Sequence, residues 1–234
     1  MALNIATLKT RSLTAVVFVA VMLVGLLWNF WSFLILFTIV HFGCWYELVK
    51  LMKKIYGEKY LQYSLLGLFY ITMPILMLIN MRTIWSDFEG LKLISDYGNT
   101  IPIAILFSIW INDTMAYIVG SLIGKTPFSK VSPKKTWEGT IGGAILAVVV
   151  IGFLFPLLAD KFFYPFAQPK MWFVIAALGA IMGTIGDLFE SKLKRMANVK
   201  DSGSIMPGHG GFLDRFDSLL FAAPAVWIYV HLFM

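Results

Sequence analysis

The sequence predicts an all-α integral membrane protein with about seven transmembrane helices. Hydrophobic residues make up 59% of the 234 residues, whereas charged residues make up only 14%, a balance too apolar for a soluble domain of this size. The apolar residues also occur in runs of about 17 to 25, the length that a helix needs to cross a bilayer. We therefore expect a single polytopic membrane domain over residues 1–234.

Short polar segments separate the seven apolar runs. A break near Asn29 divides the first two runs, which are close to the minimum length, so we expect them to pack as a tight helical hairpin. Residues 81–100 are polar enough to remain outside the membrane. The predicted spans are residues 12–28, 30–47, 60–80, 101–122, 138–159, 171–189 and 212–233.

The basic residues are distributed unevenly between the two sides of this topology. Seven spans put the N-terminus and the loops 48–59, 123–137 and 190–211 on one side, and basic residues in short loops favour the cytoplasmic face. Of the 19 Lys and Arg residues, those on the opposite side are Arg82, Lys92, Lys161 and Lys170. The net charge of +6 thus follows from topology rather than from nucleic-acid binding, and anionic headgroups or phosphates are the expected partners.

The densest group of charged side chains lies near the C-terminus. Asp187 and Glu190 end span six, Asp214 and Asp217 begin span seven, and each pair is three residues apart, so its members share a helix face. Asp113 lies within span four, roughly 10 Å deeper in the membrane. A salt bridge or a packing hydrogen bond would explain any one of these acids. As a set near lipid they need a cation, and we interpret them as a Mg²⁺ and phosphate site in a cytoplasm-facing cavity.

The loop before span five offers a second polar site. Ser132 and Pro133 are the predicted N-cap and first helical position, which would put Lys134 and Lys135 beside helical N–H groups that favour anions. This loop predicts phosphate binding, although lysines in a cytoplasmic loop also follow from topology alone. His209 lies between glycines, and it is either a phosphate contact and acid–base group or a turn residue bonded to backbone.

The stretch SKLKRMANVKDSGSIMPGHGGFLDRFD, residues 191–217, closely resembles the signature of the phosphatidate cytidylyltransferases, the CDP-diacylglycerol synthases. Further matching motifs are NDTMAYIVG at 112–120, GK at 124–125, SPKKTWEG at 132–139 and GDLFES at 186–191. The resemblance covers roughly the C-terminal half, so residues 101–234 are the expected catalytic part and residues 1–100 the N-terminal spans. Met206 and Met115 depart from the family pattern, and the chain is shorter than many members.

The resemblance implies a Mg²⁺-dependent reaction of CTP with phosphatidate that gives CDP-diacylglycerol and pyrophosphate, with a second cation and a homodimer left open. A compact single-domain chain of this kind suits a bacterial inner membrane, and the distribution of basic residues puts the expected active site on the cytoplasmic side. The implied catalytic residues are Asp187, Asp214, Asp217, Lys200 and Asp201. The implied metal ligands are Asp187, Asp214, Asp217 and Asp113. The implied substrate contacts are Asn112, Asp113, Ser132, Lys134, Lys135, Lys194, Arg195, His209 and Arg215.

Two other functions stay open at this point. A CTP-dependent lipid kinase acting on a polyprenol-type alcohol would need the same handling of polyanions, but it would release CDP instead of pyrophosphate. An ion or proton transporter would also place carboxylates within spans. The transporter is disfavoured because the polar groups concentrate at the cytoplasmic ends and the outer halves of spans five to seven offer no exit path.

Overall fold

A computed structural model describes residues 5–83, 97–157, 170–205 and 210–234, which are helical apart from short connections and one isolated β-bridge between Pro127 and Thr136. The helices are α1 (Ile5–Leu27), α2 (Phe30–Tyr56), α3 (Tyr60–Ser64), α4 (Met73–Thr83), α5 (Tyr97–Ile123), α6 (Trp137–Val149), α7 (Lys170–Met196) and α8 (Leu213–Phe233). A 3₁₀ turn (Gly57–Lys59) joins α2 to α3. Two π-helical turns, Leu68–Thr72 and Val150–Leu154, precede α4 and extend α6.

A helix occurs in each of the seven predicted spans. Within the described residues, the stretches that are long and apolar enough to cross a membrane are Phe30–Ser64, Thr100–Ile123, Trp137–Leu157, Lys170–Met196 and Leu213–Phe233. Ser12–Leu27 and Leu68–Arg82 are apolar but shorter. Many apolar side chains on these helices face outward, as lipid contact requires, and the chain is therefore an integral membrane protein.

The chain forms two compact units, each built from two separate stretches of sequence. The first unit contains Met1–Thr72 and Lys192–Phe216, and the second contains Met73–Ser191 and Asp217–Met234. The long helices α7 and α8 each contribute residues to both units. The unit boundaries therefore fall inside helices and not in linkers.

In the first unit, the predicted break near Asn29 is confirmed as a helix cap. The Asn29 side chain accepts a hydrogen bond from the Ser32 amide at 2.8 Å, and the Ser32 hydroxyl accepts one from the Asn29 amide at 3.1 Å, which is a reciprocal cap at the start of α2. Gly25 of α1 makes room for Leu36 of α2, because a Cβ there would meet that side chain at 2.5 Å. The two helices thus pack closely, as the sequence predicted.

In the second unit, glycines bring α5 and α6 into close contact. A Cβ on Gly143 would lie 2.7 Å from the Asn112 carbonyl oxygen and from the Ala116 amide. On Gly139 it would lie 2.6 Å from the Ala116 carbonyl oxygen. These backbone atoms cannot move aside cheaply, so the glycines serve helix packing.

Two helices continue past the ends predicted for their spans. The second span was predicted to end at residue 47, but α2 runs on to Tyr56 and stops before Gly57, whose φ is +55°. The sixth was predicted to end at residue 189, but α7 runs on to Met196, so residues 190–196 are helix and not loop. The length of an apolar run predicts the membrane-spanning part of a helix and not the residue at which the helix ends.

Candidate active site

Three carboxylates from α7 and α8 form one group in the second unit, which we call the acid cluster: Asp187, Glu190 and Asp217. One oxygen from each side chain lies within 4.8 Å of the other two. Asp187 and Glu190 lie on one face of α7 because they are three residues apart. Glu190 is 0% exposed and Asp217 6% exposed, so two of the three carboxylates are shielded from water.

A glycine allows the two helices to come this close. A Cβ on Gly186 would overlap the carbonyl oxygen of Asp217 and lie 3.1 Å from the Ser218 Cα. The residue immediately before Asp187 therefore has to be small for α7 and α8 to touch at the acid cluster. The Asp217 carboxylate also accepts a hydrogen bond from the Ser218 amide at 2.6 Å.

The loop before α6 brings a basic group to the acid cluster. The Lys135 ammonium forms an ion pair with Asp187, and the Ser191 hydroxyl lies 3.5 Å from the other oxygen of that carboxylate. Both members of the ion pair are partly exposed, with 30% of the Lys135 side chain and 24% of the Asp187 side chain accessible. A solute can therefore reach the cation and the carboxylate together.

The predicted N-cap at Ser132 is wrong. The amide of Lys135 donates to the carbonyl of Ser132 at 3.1 Å, so Pro133 lies in a tight turn and not in a helix. The cap of α6 is Thr136, whose hydroxyl accepts from the Gly139 amide at 3.1 Å. The turn places Lys135 just before the helix, whereas Lys134 at the turn is exposed.

A second acidic group lies in the first unit, and we call it the Asp214 clamp. One oxygen of Asp214 accepts from the Ser202 amide, the Ser202 hydroxyl and the Gly211 amide at 2.8 to 2.9 Å. The other oxygen accepts from the Lys194 ammonium at 2.6 Å. Asp214 therefore holds the loop between α7 and α8 to the first turn of α8.

The remaining predicted site residues fall into three sets. Asn112 is buried, and its amide nitrogen lies 3.4 Å from the Thr184 hydroxyl. His209 lies outside the described residues. The exposed members are Asp113, Arg195, Lys200, Asp201 and Arg215. The acid cluster thus brings together two of the four predicted metal ligands, and it does not include Asp113 or Asp214.

Two acids of the site or its support were not among the predicted site residues. Glu190 belongs to the acid cluster; the sequence placed it with Asp187 on one helix face, in the set of acids interpreted as a Mg²⁺ and phosphate site, but not among the implied metal ligands. Glu47, near the end of the apolar part of α2, accepts hydrogen bonds from the backbone at the start of α8. An acid in an apolar run marked Glu47 as unusual, but nothing in the sequence connected it with residues so far along the chain.

The acid cluster has the chemistry of a divalent cation site. Mg²⁺ takes oxygen ligands at about 2.1 Å, so two oxygens on opposite sides of one ion lie about 4.2 Å apart. The oxygens of the acid cluster lie within 4.8 Å of one another, which small side-chain movements would bring to that spacing. Three acids this close also repel one another, and a cation would relieve that repulsion. The donor set therefore fits Mg²⁺.

Comparison with known proteins agrees with this chemistry. Residues 63–233 match the family model described as the cytidylyltransferase family. A phosphatidate cytidylyltransferase of Rickettsia typhi is 35% identical over 218 residues, which cover 92% of this chain and 88% of that protein. One from Thermotoga maritima is 44% identical over 140 residues, or 59% of this chain, and there the match spans only 52% of the relative.

Proposed function

The chain belongs to the cytidylyltransferase family, and on that premise we propose that it joins CTP and phosphatidate to give CDP-diacylglycerol and pyrophosphate. The observation that carries the proposal is the acid cluster with Lys135 beside it, inside the region that the family model matches. Both substrates are polyanions, so the site has to neutralise their charge. The carboxylates can hold a cation that does so, and the neighbouring lysine can bind a phosphate group.

The reaction needs no nucleophile from the protein. A phosphate oxygen of phosphatidate attacks the α-phosphorus of CTP, and the bond from that phosphorus to the bridging oxygen of the β-phosphate breaks. Pyrophosphate leaves with the electron pair of that bond. Because both reactants are negatively charged, the work of the protein is to neutralise charge and to align the two phosphates.

We propose that Asp187, Glu190 and Asp217 hold Mg²⁺. When bound, the ion would neutralise phosphate charge and fix the orientation of the triphosphate. The burial of Glu190 and Asp217 supports this assignment, since it keeps water from weakening the electrostatic attraction. Asp113, on α5, stays proposed as an additional carboxylate of the site.

Lys135 is the proposed first contact for the CTP phosphates. Its ion pair with Asp187 is partly exposed, so its ammonium can exchange a carboxylate oxygen for a phosphate oxygen without crossing an apolar region. The exposed cations Lys134, Lys200 and Arg215 are proposed to attract the triphosphate, and exposed Arg195 to attract the lipid phosphate. Lys194 differs from these because its ammonium is bonded to Asp214.

The proposed topology has seven spans, with the active site at the cytoplasmic ends of the C-terminal spans in a bacterial inner membrane. The excess of basic residues in the loops on one side supports this orientation. CTP would then reach the site from the cytoplasm, and the acyl chains of phosphatidate would remain in the bilayer.

The test is turnover by the purified protein in mixed micelles that contain phosphatidate and a polyprenol-type alcohol, with CTP labelled either in the cytosine ring or in the γ-phosphate. We expect Mg²⁺-dependent transfer of the ring label into the lipid fraction, matched by pyrophosphate. Transfer of the γ-label to a polyprenol-type alcohol would instead indicate a lipid kinase. The absence of both transfers, with Mg²⁺ present, would contradict the proposal.

A further inference from the structure

A buried acid on α2 contacts the beginning of α8. Glu47 is 2% exposed and lies outside residues 63–233, the region that the family model matches. One of its carboxylate oxygens accepts from the Phe212 amide at 2.9 Å, and the other accepts from the Leu213 amide at 2.9 Å. The first amides of a helix have no partner within the helix. Glu47 supplies that partner from a different part of the chain.

The loop before α8 is shaped to fit this carboxylate. A Cβ on Gly203 or on Gly211 would overlap the carboxylate of Glu47. A Cβ on Gly43 of α2 would overlap the ring of Phe212. Neither loop glycine has a positive φ, so the reason for glycine at these two positions is space and not backbone conformation. Gly203 and Gly211, both within residues 191–217, therefore leave the space that the carboxylate of Glu47 occupies, and Glu47 itself lies outside that stretch.

One hydroxyl connects Glu47 with the Asp214 clamp. The Ser202 hydroxyl lies 2.7 Å from an oxygen of Glu47 and 2.9 Å from an oxygen of Asp214. The opposite oxygen of Asp214 is bonded to Lys194 of α7. A continuous series of polar contacts therefore joins α2, the loop and the ends of α7 and α8 within the first unit. Such a buried network holds its members in one arrangement only while every member is satisfied.

We propose that Glu47 is a positioning residue for the proposed cytidylyl transfer. It fixes the loop and the first turn of α8, the helix whose early turns carry Asp214 and Asp217. Glu47 touches no substrate in this assignment and acts through the backbone of Phe212 and Leu213. The inference rests on the proposed function for its effect on turnover, and on the hydrogen bonds alone for its effect on the loop.

The first test is Glu47→Gln in the full-length protein. Glutamine keeps the length of the side chain but turns an N–H group toward donors that need an acceptor. We expect kcat to fall about ten- to a hundredfold, because misplacement by a fraction of an ångström to an ångström costs that much. The KM for CTP should change little. The matched control is Glu58→Gln, the same change at an exposed acid close to the end of α2, which should leave turnover unchanged.

The second readout is amide hydrogen exchange at Phe212 and Leu213. Loss of an acceptor that bears charge should speed exchange at these two amides about tenfold or more, while the buried middle of α8 is unchanged. This arm needs no substrate. If the wild-type protein fails to turn over phosphatidate, the proposed function fails, but the exchange result still decides whether Glu47 holds the loop.

A pair of substitutions, the second of which should compensate for the first, distinguishes loss of positioning from a simple failure to fold. Gly211→Ala should lower kcat because its methyl group displaces the carboxylate of Glu47. Adding Glu47→Asp, which shortens the acid, should restore part of the activity that Gly211→Ala loses. The inference is overturned if Glu47→Gln turns over at the wild-type rate, if its loss of activity only tracks loss of folded protein, or if the double variant is no better than Gly211→Ala alone.

Discussion

The acid cluster and the Asp214 clamp contain the same kind of side chain but differ in what surrounds it. Asp214 accepts hydrogen bonds on both oxygens, from two backbone amides, one hydroxyl and one ammonium. In the acid cluster, three carboxylates approach one another and Lys135 pairs with one of them. Asp214 lies in the first turn of α8 and serves the loop before it, whereas Asp217, three residues later, meets the acids of α7. Position along one helix thus separates an acid that is hydrogen-bonded to the preceding loop from a proposed metal ligand.

The largest expected effect is that of Asp217→Asn, which would test the proposed cation site directly. Asparagine has nearly the same shape but carries no charge. A bound cation supplies several kcal/mol of charge stabilisation, so we expect kcat to fall by about a thousandfold at fixed Mg²⁺. Mg²⁺ should raise the thermal midpoint of the wild-type protein, and this increase should be lost in the variant.

The control for Asp217→Asn is the amount of folded protein in the membrane and its elution in detergent, which should match the wild type. Near-normal turnover would remove Asp217 from the metal site. A midpoint that still rises with Mg²⁺ would show that the cation binds elsewhere.

The contrasting variant is Asp214→Asn, for which we expect loss of stability. Replacing one member of a largely buried, hydrogen-bonded ion pair leaves the Lys194 ammonium without its charged partner, at a cost of about 3 kcal/mol in the free energy of unfolding. Thermal unfolding in detergent should show a lower midpoint. Mg²⁺ should still raise that midpoint in the variant. If Asp214→Asn instead behaves like Asp217→Asn, the two acids bind the same cation and Asp214 is a metal ligand.

Much of the fold and part of the site could be predicted from the sequence. The runs of apolar residues predicted the positions of the helices, and the break at Asn29 was predictable because its capping residues, Asn29 and Ser32, are only three positions apart in sequence. The density of charge in an apolar chain predicted a Mg²⁺ and phosphate site with Asp187 and Asp217 among its acids, and these two lie together in the acid cluster. These features depend on residues that are near one another along the chain.

Some features were not predicted from the sequence, because they depend on competition between alternative caps or on contacts between residues far apart along the chain. Ser132 has the side chain of an N-cap residue, but in the structure its carbonyl closes a turn at Pro133, and Thr136 caps α6 instead. Glu47 and Ser202 are 155 positions apart, and no local pattern connects them. Asp214 and Asp217 have the same spacing as Asp187 and Glu190, so spacing alone could not divide them between two groups.

A smaller effect is expected from Gly186→Ala. This substitution tests whether the acid cluster depends on the close approach of α7 and α8. The added methyl group would overlap the Asp217 carbonyl, and overpacking of this kind costs about 1–3 kcal/mol. We expect weaker apparent Mg²⁺ activation, measured as a higher half-activating concentration. Gly183→Ala is the matched control one turn earlier on α7, where the nearest atom is a flexible Ile109 carbon at 3.3 Å. Equal effects at the two positions would mean that helix packing in general, and not the acid cluster, sets the response to Mg²⁺.

The most selective effect, on one substrate constant, is expected from Lys135→Ala, which separates the role of the cation beside the acid cluster from that of the acids. Loss of one charged hydrogen bond to phosphate costs about 1.5–3 kcal/mol, so the KM for CTP should rise about tenfold or more. The KM for phosphatidate should change less, because Lys135 is proposed to contact the triphosphate. Lys130→Ala, an exposed lysine in the same loop, should leave both constants unchanged. An increase confined to the KM for phosphatidate would place Lys135 on the lipid phosphate and would leave the triphosphate to the exposed cations.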